Sequence, residues 1–109
     1  MIKFLQNLFK KNYEDCDGQE FKSRLNKHAN AVLLDVRSVS EFKSGTIKGA
    51  KNSDIMNPSF SSEIGVMDPN KTYFVFCRSG ARSGTAANMM SKMGLKVVNL
   101  KNGIASWPK

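Results

Sequence analysis

A cysteine in a short loop is the residue of this sequence with the clearest capacity for chemistry. Cys77 follows residues 71–76, which are rich in β-branched and aromatic side chains, and precedes an Ala- and Met-rich stretch with helical spacing. We therefore predict a strand-to-helix turn at this cysteine. The chain has four arginines, and two of them, Arg78 and Arg82, lie within five residues of Cys77. Gly80 between them lets the loop turn tightly.

Such a turn favours a thiolate over a thiol. Backbone N–H groups at the start of a helix point toward an anion, and the charges of Arg78 and Arg82 act in the same direction. A free cysteine has a pKa near ~8.5, and sites of this kind commonly lower it to roughly 3.5–7.5. We predict that Cys77 is a nucleophile and that the same turn receives an anionic substrate. An inert, buried cysteine is the less favoured interpretation, because glycine and two arginines surround it.

The elements that must position this loop are predicted to alternate between strand and helix. Asp17 and Glu20 form the pattern of a capping box, which predicts a helix through about residue 27. The further predicted elements are a strand at 31–34, a short helix from Ser38 or Ser40 around Glu41 and Phe42, a strand near 49–52, a helix at 58–64, a helix at 79–93 with Ala86, Met89, Met90 and Met93 in the core, and a strand at 96–100. This alternation predicts an α/β fold with a small, mainly parallel sheet flanked by helices on both faces.

Asp35 and Arg37 are predicted to lie at the C-terminal end of a buried strand. Ligand sites form at that edge of an open parallel sheet, so both residues are expected on the reactive side. Asp35 is expected to pair either with Arg37 or with an arginine of the cysteine loop, and thereby to support the site. A plain strand-end turn is the alternative, and neither residue is predicted to carry the chemistry itself.

The other thiol and the single histidine have no predicted role. Cys16 lies between Asp15 and Asp17, whose charges we expect to raise its thiol pKa and to make it the weaker nucleophile. Both cysteines are expected to be reduced. His28 is expected to be exposed at the end of a helix, and the spacing of cysteine and histidine predicts no metal site.

Four segments, in order, resemble the rhodanese family. The loop is similar to the family's Cys-x-x-Gly-x-Arg pattern at Cys77, Gly80 and Arg82. The other three resemble its Asp-Val-Arg strand end, its Glu-Phe…Gly-His-Ile-x-Gly-Ala segment and its Leu-x-Gly-Gly-x-x-x-Trp signature, and they stand at 33–37, 41–50 and 100–107. The resemblance runs from about residue 17 to the end of the chain. Thr46 replaces the usual histidine, and Asn102 replaces a glycine whose left-handed turn we expect asparagine to keep.

The resemblance implies a sulfurtransferase that needs no cofactor. The Cys77 thiolate would attack the outer sulfur of thiosulfate or a similar donor, release sulfite and become a persulfide. A thiol, a protein acceptor or cyanide would then take this sulfur. Arg78 and Arg82 would bind the small anionic donor, and loop N–H groups would steady the persulfide. The substrate-binding loop so implied consists of Arg78, Ser79, Gly80, Ala81 and Arg82.

Two other functions use a cysteine in a similar loop. A cysteine phosphatase or arsenate reductase resembles this fold but has a Cys-x5-Arg loop, whereas here the sixth residue after Cys77 is Ser83. Phe76 also replaces the histidine that is common before phosphatase cysteines. A persulfide carrier or regulatory module loaded by a protein partner would use the same thiol. The two loop arginines favour an enzyme with a small anionic donor.

Composition and charge limit the classes of function. The 109 residues, 40% hydrophobic and 24% charged, are typical of one globular domain. The net charge of +8 favours anionic partners, but the lysines are scattered, so nucleic acid is not predicted to bind. We predict an amphipathic segment at 1–12 and a rhodanese-like domain at 13–109. Residues 1–11 are expected to pack on their own domain rather than on a membrane, and the protein is expected to be cytoplasmic.

Overall fold

The computed structural model describes residues 12–109, which form a sheet flanked by helices. The strands are β1 (Glu14–Cys16), β2 (Ala31–Asp35), β3 (Lys51–Asn52), β4 (Thr72–Phe76) and β5 (Lys96–Leu100). The helices are α1 (Gly18–Lys27), α2 (Val39–Ser44), α3 (Phe60–Gly65) and α4 (Ala81–Lys92), and a 3₁₀ turn (Ile104–Ser106) follows β5. The sheet order is β1-β5-β4-β2-β3, and every paired neighbour is parallel. The α/β prediction is confirmed.

Strand β4 lies at the centre of the sheet and leads to the cysteine loop. All five of its residues are buried, and their β-branched and aromatic side chains suit a strand that packs on both faces. It pairs with β2 on one side and β5 on the other. The register places Asp35 beside Phe76, and Val36 N–H donates to the Phe76 carbonyl oxygen at 3.0 Å. The ends of β2 and β4 therefore meet next to Cys77.

Helices cover both faces of the sheet, as predicted. On one face the core includes Leu34, Val36, Phe60, Ile64, Tyr73, Val75, Ala86, Ala87 and Met90, which come from the sheet, α3 and α4. On the other face it includes Cys16, Phe21, Leu33, Phe74, Phe76, Val98 and Leu100, with Trp107 packed against them. Neighbouring residues along β2, β4 and β5 thus enter different cores, as the pleat requires.

Side-chain caps begin the first two helices. The Asp17 carboxylate accepts a hydrogen bond from Glu20 N–H at 2.9 Å at the start of α1. Helix α2 begins after Ser38 rather than Ser40, with a complete capping box between Ser38 and Glu41. Both caps satisfy N–H groups that a helix start leaves without intrahelical partners.

Two parts of the sequence-based description need correction. Met93 is 48% exposed because α4 ends at Lys92, so it does not belong to the core, whereas Ala86 and Met90 do. Strand β1 was not predicted; it has only three residues and pairs at the edge of the sheet with β5. Residues 1–11 of the amphipathic segment predicted at 1–12 lie outside the described residues, and the boundary at residue 12 stays a prediction.

Within residues 12–109, every helix falls short of the length and apolarity needed to cross a membrane.

Candidate active site

The candidate nucleophile lies where the central strand ends. Cys77 directly follows β4 and is 1% exposed. Its carbonyl oxygen accepts a hydrogen bond from Ile104 N–H at 2.9 Å, which ties the loop to the segment after β5. The C-terminal ends of β2, β4 and β5 lie at this edge, where ligand sites form in open parallel sheets.

Backbone N–H groups converge on the sulfur. Cys77 Sγ accepts hydrogen bonds from Gly80 N–H at 3.1 Å and from Ser83 N–H at 3.3 Å. Gly80 has a φ of 102°, in the left-handed region, and directly precedes α4. A Cβ at this position would lie 2.1 Å from the Lys101 carbonyl oxygen. The turn that directs these N–H groups therefore requires glycine.

These hydrogen bonds decide the ionisation of Cys77. Burial alone raises the pKa of its thiol, but hydrogen bonds from the Ser83 side chain and from the N–H groups of Ser83, Gly80 and Ser79 outweigh burial. The net effect lowers the pKa below that of a free cysteine. The predicted direction is confirmed, but hydrogen bonds from the start of α4, rather than the arginine charges, are the principal favourable causes.

The two arginines of the loop have different surroundings. Arg82 donates from Nη1 to Glu41 Oε1 at 2.7 Å and from Nη2 to Glu41 Oε2 at 3.0 Å. Arg78 is exposed, and its side chain makes no hydrogen bond or ion pair with any residue in the range 12–109. Arg78 thus presents an uncommitted guanidinium, while the two terminal nitrogens of Arg82 are already bound to a carboxylate.

Asp35 and Arg37 form a buried ion pair at the same edge. Arg37 Nη2 lies 2.7 Å from Asp35 Oδ2, and Arg37 Nε lies 2.9 Å from Oδ1. Arg37 Nη2 also donates to the Gly45 carbonyl oxygen at 2.6 Å, and Thr46 Oγ1 donates to Asp35 Oδ2 at 2.9 Å. Of the partners left open by the sequence, Asp35 therefore has Arg37 and no arginine of the loop. The pair ties the end of β2 to the far end of α2.

The segment after β5 packs against the back of the loop. A Cβ at Gly103 would lie 2.0 Å from the Arg78 carbonyl oxygen and 2.6 Å from Ser79 N, and the φ of Gly103 is 77°. Close approach and backbone conformation both require glycine there. Within residues 12–109 only glycines have positive φ, so the expectation of a left-handed Asn102 is wrong. Gly103 makes that turn instead.

Comparison with known proteins agrees with this geometry. A family model described as Rhodanese-like domain matches residues 17–109. This chain belongs to the rhodanese-like domain family.

Relatives of this rhodanese-like domain include proteins named as sulfurtransferases. A Schizosaccharomyces pombe protein named putative thiosulfate sulfurtransferase, mitochondrial, is 34% identical over 89 residues, which are 72% of this chain and 61% of that protein. The chain thus spans about three fifths of the length of this relative. An Allochromatium vinosum protein named sulfurtransferase is 30% identical over 97 residues, covering 87% of this chain and 88% of that protein.

Solved structures have the same architecture. The crystal structure of a rhodanese-related protein from Thermoplasma volcanium aligns with a TM-score of 0.76 and 27% identity, over 87% of this chain and 90% of that one. The sulfurtransferase names among the relatives support a transferase. The names do not establish which molecule donates sulfur to this rhodanese-like domain, so the donor has to be inferred from the residues of the site.

Two residues of the site are not singled out by sequence reasoning. Ser83 donates to the sulfur through its backbone N–H, and Glu41 binds the guanidinium of Arg82. The signal for Ser83 is its place in the first turn of the helix that follows Cys77. The signal for Glu41 is weaker, because its place in a predicted short helix and at the start of the segment 41–50 gives no hint of a partner 41 residues away.

The other residues considered from the sequence lie elsewhere. Cys16 belongs to the core on the opposite face of the sheet, and both cysteines are free thiols. His28 caps the C-terminal end of α1, is exposed, and accepts a hydrogen bond from Asn30 N–H at Nδ1. In the part of the chain from 12 to 109, no three His, Cys, Asp or Glu side chains are grouped as a metal site requires.

Proposed function

We propose that this domain is a sulfurtransferase that moves a sulfane sulfur from thiosulfate, or a similar donor, to a thiol or cyanide through a persulfide on Cys77. The observation that carries the proposal is the convergence of Gly80 and Ser83 N–H groups on a sulfur whose thiol pKa is lowered. A thiolate is the nucleophile that such chemistry needs. The relatives named as sulfurtransferases support the same class of reaction.

The reaction has two transfers at sulfur. The Cys77 thiolate attacks the outer sulfur of thiosulfate; a new S–S bond forms while the donor's S–S bond breaks, and its electron pair leaves with sulfite. The acceptor then attacks the outer sulfur of the persulfide. Cyanide leaves as thiocyanate, a thiol becomes a persulfide, and the Cys77 thiolate is restored.

The surroundings of Cys77 suggest a role for each loop residue. Arg78, exposed and uncommitted, is placed to bind the anionic end of the donor and to stabilise departing sulfite. The N–H groups of Ser79, Gly80 and Ser83 would stabilise the negative sulfur of both thiolate and persulfide. Direct anion binding by Arg82 stays a prediction.

The remaining predicted site residues would act on the shape of the turn. Ala81 begins α4, whose third residue, Ser83, donates its N–H to the sulfur. Asp35 and Arg37 would support the loop from β2 through their buried ion pair. None of these three is proposed to contact the sulfur that is transferred.

Intact-mass spectrometry of the reduced protein tests the proposal. Wild type and Cys16→Ser are treated with thiosulfate and then with cyanide, and Cys77→Ser is treated in parallel. We expect a gain of about 32 Da in the first two proteins, lost on addition of cyanide, and no gain in Cys77→Ser. When excess thiosulfate is removed before cyanide is added, the sulfite released in the first step and the thiocyanate formed in the second should each match the adduct in amount.

Two results would contradict the proposal. An adduct that persists in Cys77→Ser would place the persulfide on another residue. Absence of an adduct on wild type would exclude thiosulfate as donor; the appearance of the adduct with a protein persulfide donor instead would favour the carrier function.

A further inference from the structure

A carboxylate on α2 is bound to the first turn of the helix that follows Cys77. Glu41 and Arg82 form two hydrogen bonds, one from each terminal nitrogen to a different carboxylate oxygen, at 2.7 and 3.0 Å, and both side chains are 32% exposed. Two-point contacts of this kind constrain orientation as well as distance. The Glu41–Arg82 pair therefore links α2 to α4 at the position next to Ser83, whose N–H contacts the sulfur.

Glu41 is itself held in place. Its Oε1 accepts hydrogen bonds from Ser38 N–H at 3.3 Å and from Ser38 Oγ at 3.1 Å. The hydrogen bond from Arg82 is the main cause that lowers the pKa of Glu41 to about 2, with those from Ser38 adding to it. The carboxylate thus stays ionised at any pH at which the protein would work.

The helix that carries Glu41 is anchored to the sheet at both ends. Arg37, just before the start of α2, is bound to Asp35 at the end of β2 and to the Gly45 carbonyl oxygen at the end of α2. Strand β2 is in turn paired to β4, which ends next to Cys77. These contacts form a closed path. It runs from the end of β4 to the end of β2, then through α2 and the Glu41–Arg82 pair to the first turn of α4, and returns to the end of β4 at the Cys77 sulfur.

We infer that Glu41 is a positioning residue that, through Arg82, holds the first turn of α4 against the end of β4 and so keeps the Ser83 N–H directed at the Cys77 sulfur. This inference rests on the proposed function for its relevance to turnover. It assigns Arg82 to the geometry of the loop and leaves Arg78 as the guanidinium that meets the donor.

Electrostatics support this division between the arginines. The pKa of Arg82 is raised chiefly by its hydrogen bond with Glu41, and the charge of Cys77 adds less to the rise, so the carboxylate is the principal partner of this guanidinium. A guanidinium already bound to a carboxylate offers less to an incoming anion than one in solvent. A mobile anion would have to compete with Glu41 for Arg82, whereas Arg78 has no such competitor among the described residues.

The test measures the ionisation of Cys77 directly, without thiosulfate. In a Cys16→Ser background, the rate of alkylation by iodoacetamide is followed against pH for the parent, Glu41→Gln, Arg82→Gln and the double variant. We expect each single variant to displace the profile to higher pH and to slow persulfide formation from thiosulfate roughly three- to tenfold. The double variant should be no slower than the singles, because both remove the same contact.

The chain offers a matched control. Glu14 pairs with Arg24 in an exposed ion pair at the start of β1, away from the cysteine loop. Glu14→Gln removes an arginine-paired carboxylate of the same kind and should leave the alkylation profile of Cys77 unchanged. Circular dichroism and the urea midpoint of each variant separate a change at the sulfur from a loss of fold.

Several outcomes would overturn the inference. A Glu41→Gln profile that coincides with the parent, or moves to lower pH, would mean that Glu41 acts on Cys77 through charge or not at all. A raised KM for thiosulfate in Arg82→Gln with an unchanged profile would make Arg82 an anion ligand.

If the parent forms no persulfide while Glu41→Gln still displaces the profile, the proposed function fails and the positioning role stands.

Discussion

The two cysteines of this chain have similar backbone surroundings. Cys16 ends β1 and Cys77 follows β4, and they are 2% and 1% exposed. The segment after β5 contacts both: Lys101 N–H donates to the Cys16 carbonyl oxygen and Ile104 N–H to that of Cys77, each at 2.9 Å. Burial and main-chain pairing therefore do not distinguish the two thiols.

The groups that reach each sulfur do distinguish them. Arg24 Nη1 donates to Cys16 Sγ at 3.3 Å, yet burial raises the pKa of this thiol above 9.0, with Glu20 adding to the rise and Arg24 only opposing it. At Cys77 backbone N–H groups and Ser83 reverse the effect of burial. The comparison teaches that a helix start directed at sulfur lowers a thiol pKa, whereas the Arg24 side chain that reaches the buried Cys16 sulfur from α1 does not.

The largest expected difference is in reactivity toward an alkylating agent. At neutral pH we expect iodoacetamide to modify Cys77 about a hundredfold or more faster than Cys16 in the folded protein, because the thiolate is the reacting species. Peptide mass mapping at a series of times measures both rates in one sample. In urea the two rates should become similar, since neither environment survives unfolding.

Equal rates in the folded protein would break the comparison and remove the basis for Cys77 as nucleophile. Faster reaction at Cys16 would do so more strongly. A Cys77→Ser variant in which Cys16 keeps its slow rate shows that the two sites react independently.

A smaller effect on the ionisation of Cys77 is expected when the Ser83 hydroxyl is removed. This side chain is fully buried and is the foremost cause that lowers the pKa of Cys77. The Ser83 hydroxyl donates to the Gly80 carbonyl oxygen at 3.3 Å, and Ser83→Ala removes it while keeping the N–H that contacts the sulfur. We expect the thiolate fraction near neutral pH to fall on the order of tenfold. The ultraviolet absorbance of the thiolate against pH, in a Cys16→Ser background, measures this change.

Ser91 provides the control for this substitution. It lies on the same helix, and its hydroxyl donates only to the Asn88 carbonyl oxygen. Ser91→Ala should leave the absorbance profile in place. A profile for Ser83→Ala that matches the parent would assign the whole effect at Cys77 to backbone N–H groups.

Local sequence patterns were sufficient to predict the turn at Cys77 and the helices near it. The strand before Cys77, the glycine in its loop and the helix after it are neighbours in the chain, so their residue types predict the turn. Ser38 and Ser40 predict a helix start before Glu41 in the same way, and the structure places that start after Ser38. These features depend on a few adjacent residues, and the structure confirms them.

Contacts between distant segments could not be read in that way. The Glu41–Arg82 pair spans 41 residues, and the pairing of β1 with β5 joins Cys16 to Leu100. The sequence-based prediction also assigns too much of the lowered pKa of Cys77 to the arginine charges. Residue types show which side chains are charged, but they do not show where a backbone N–H group points. The causes of the raised pKa of Cys16 are likewise burial and Glu20, and the two flanking aspartates are not among its main causes.

The smallest expected effect is a pair of opposite slopes in stability against pH. The folded pKa of Cys77 lies below the pKa of the unfolded thiol. Between these two pKa values Cys77 is a thiolate in the native state and a thiol in the unfolded state, so stability rises with pH through that window. The folded pKa of Cys16 lies above that of the unfolded thiol, so its contribution is full below the unfolded pKa and is lost as pH rises further. Urea unfolding of wild type, Cys77→Ser and Cys16→Ser from pH 7 to 10 measures both, because lysine titration cancels in the differences. The wild-type excess over Cys77→Ser should grow up to pH 9, and the excess over Cys16→Ser should shrink above it. Slopes of the same sign would mean that burial governs both thiols alike.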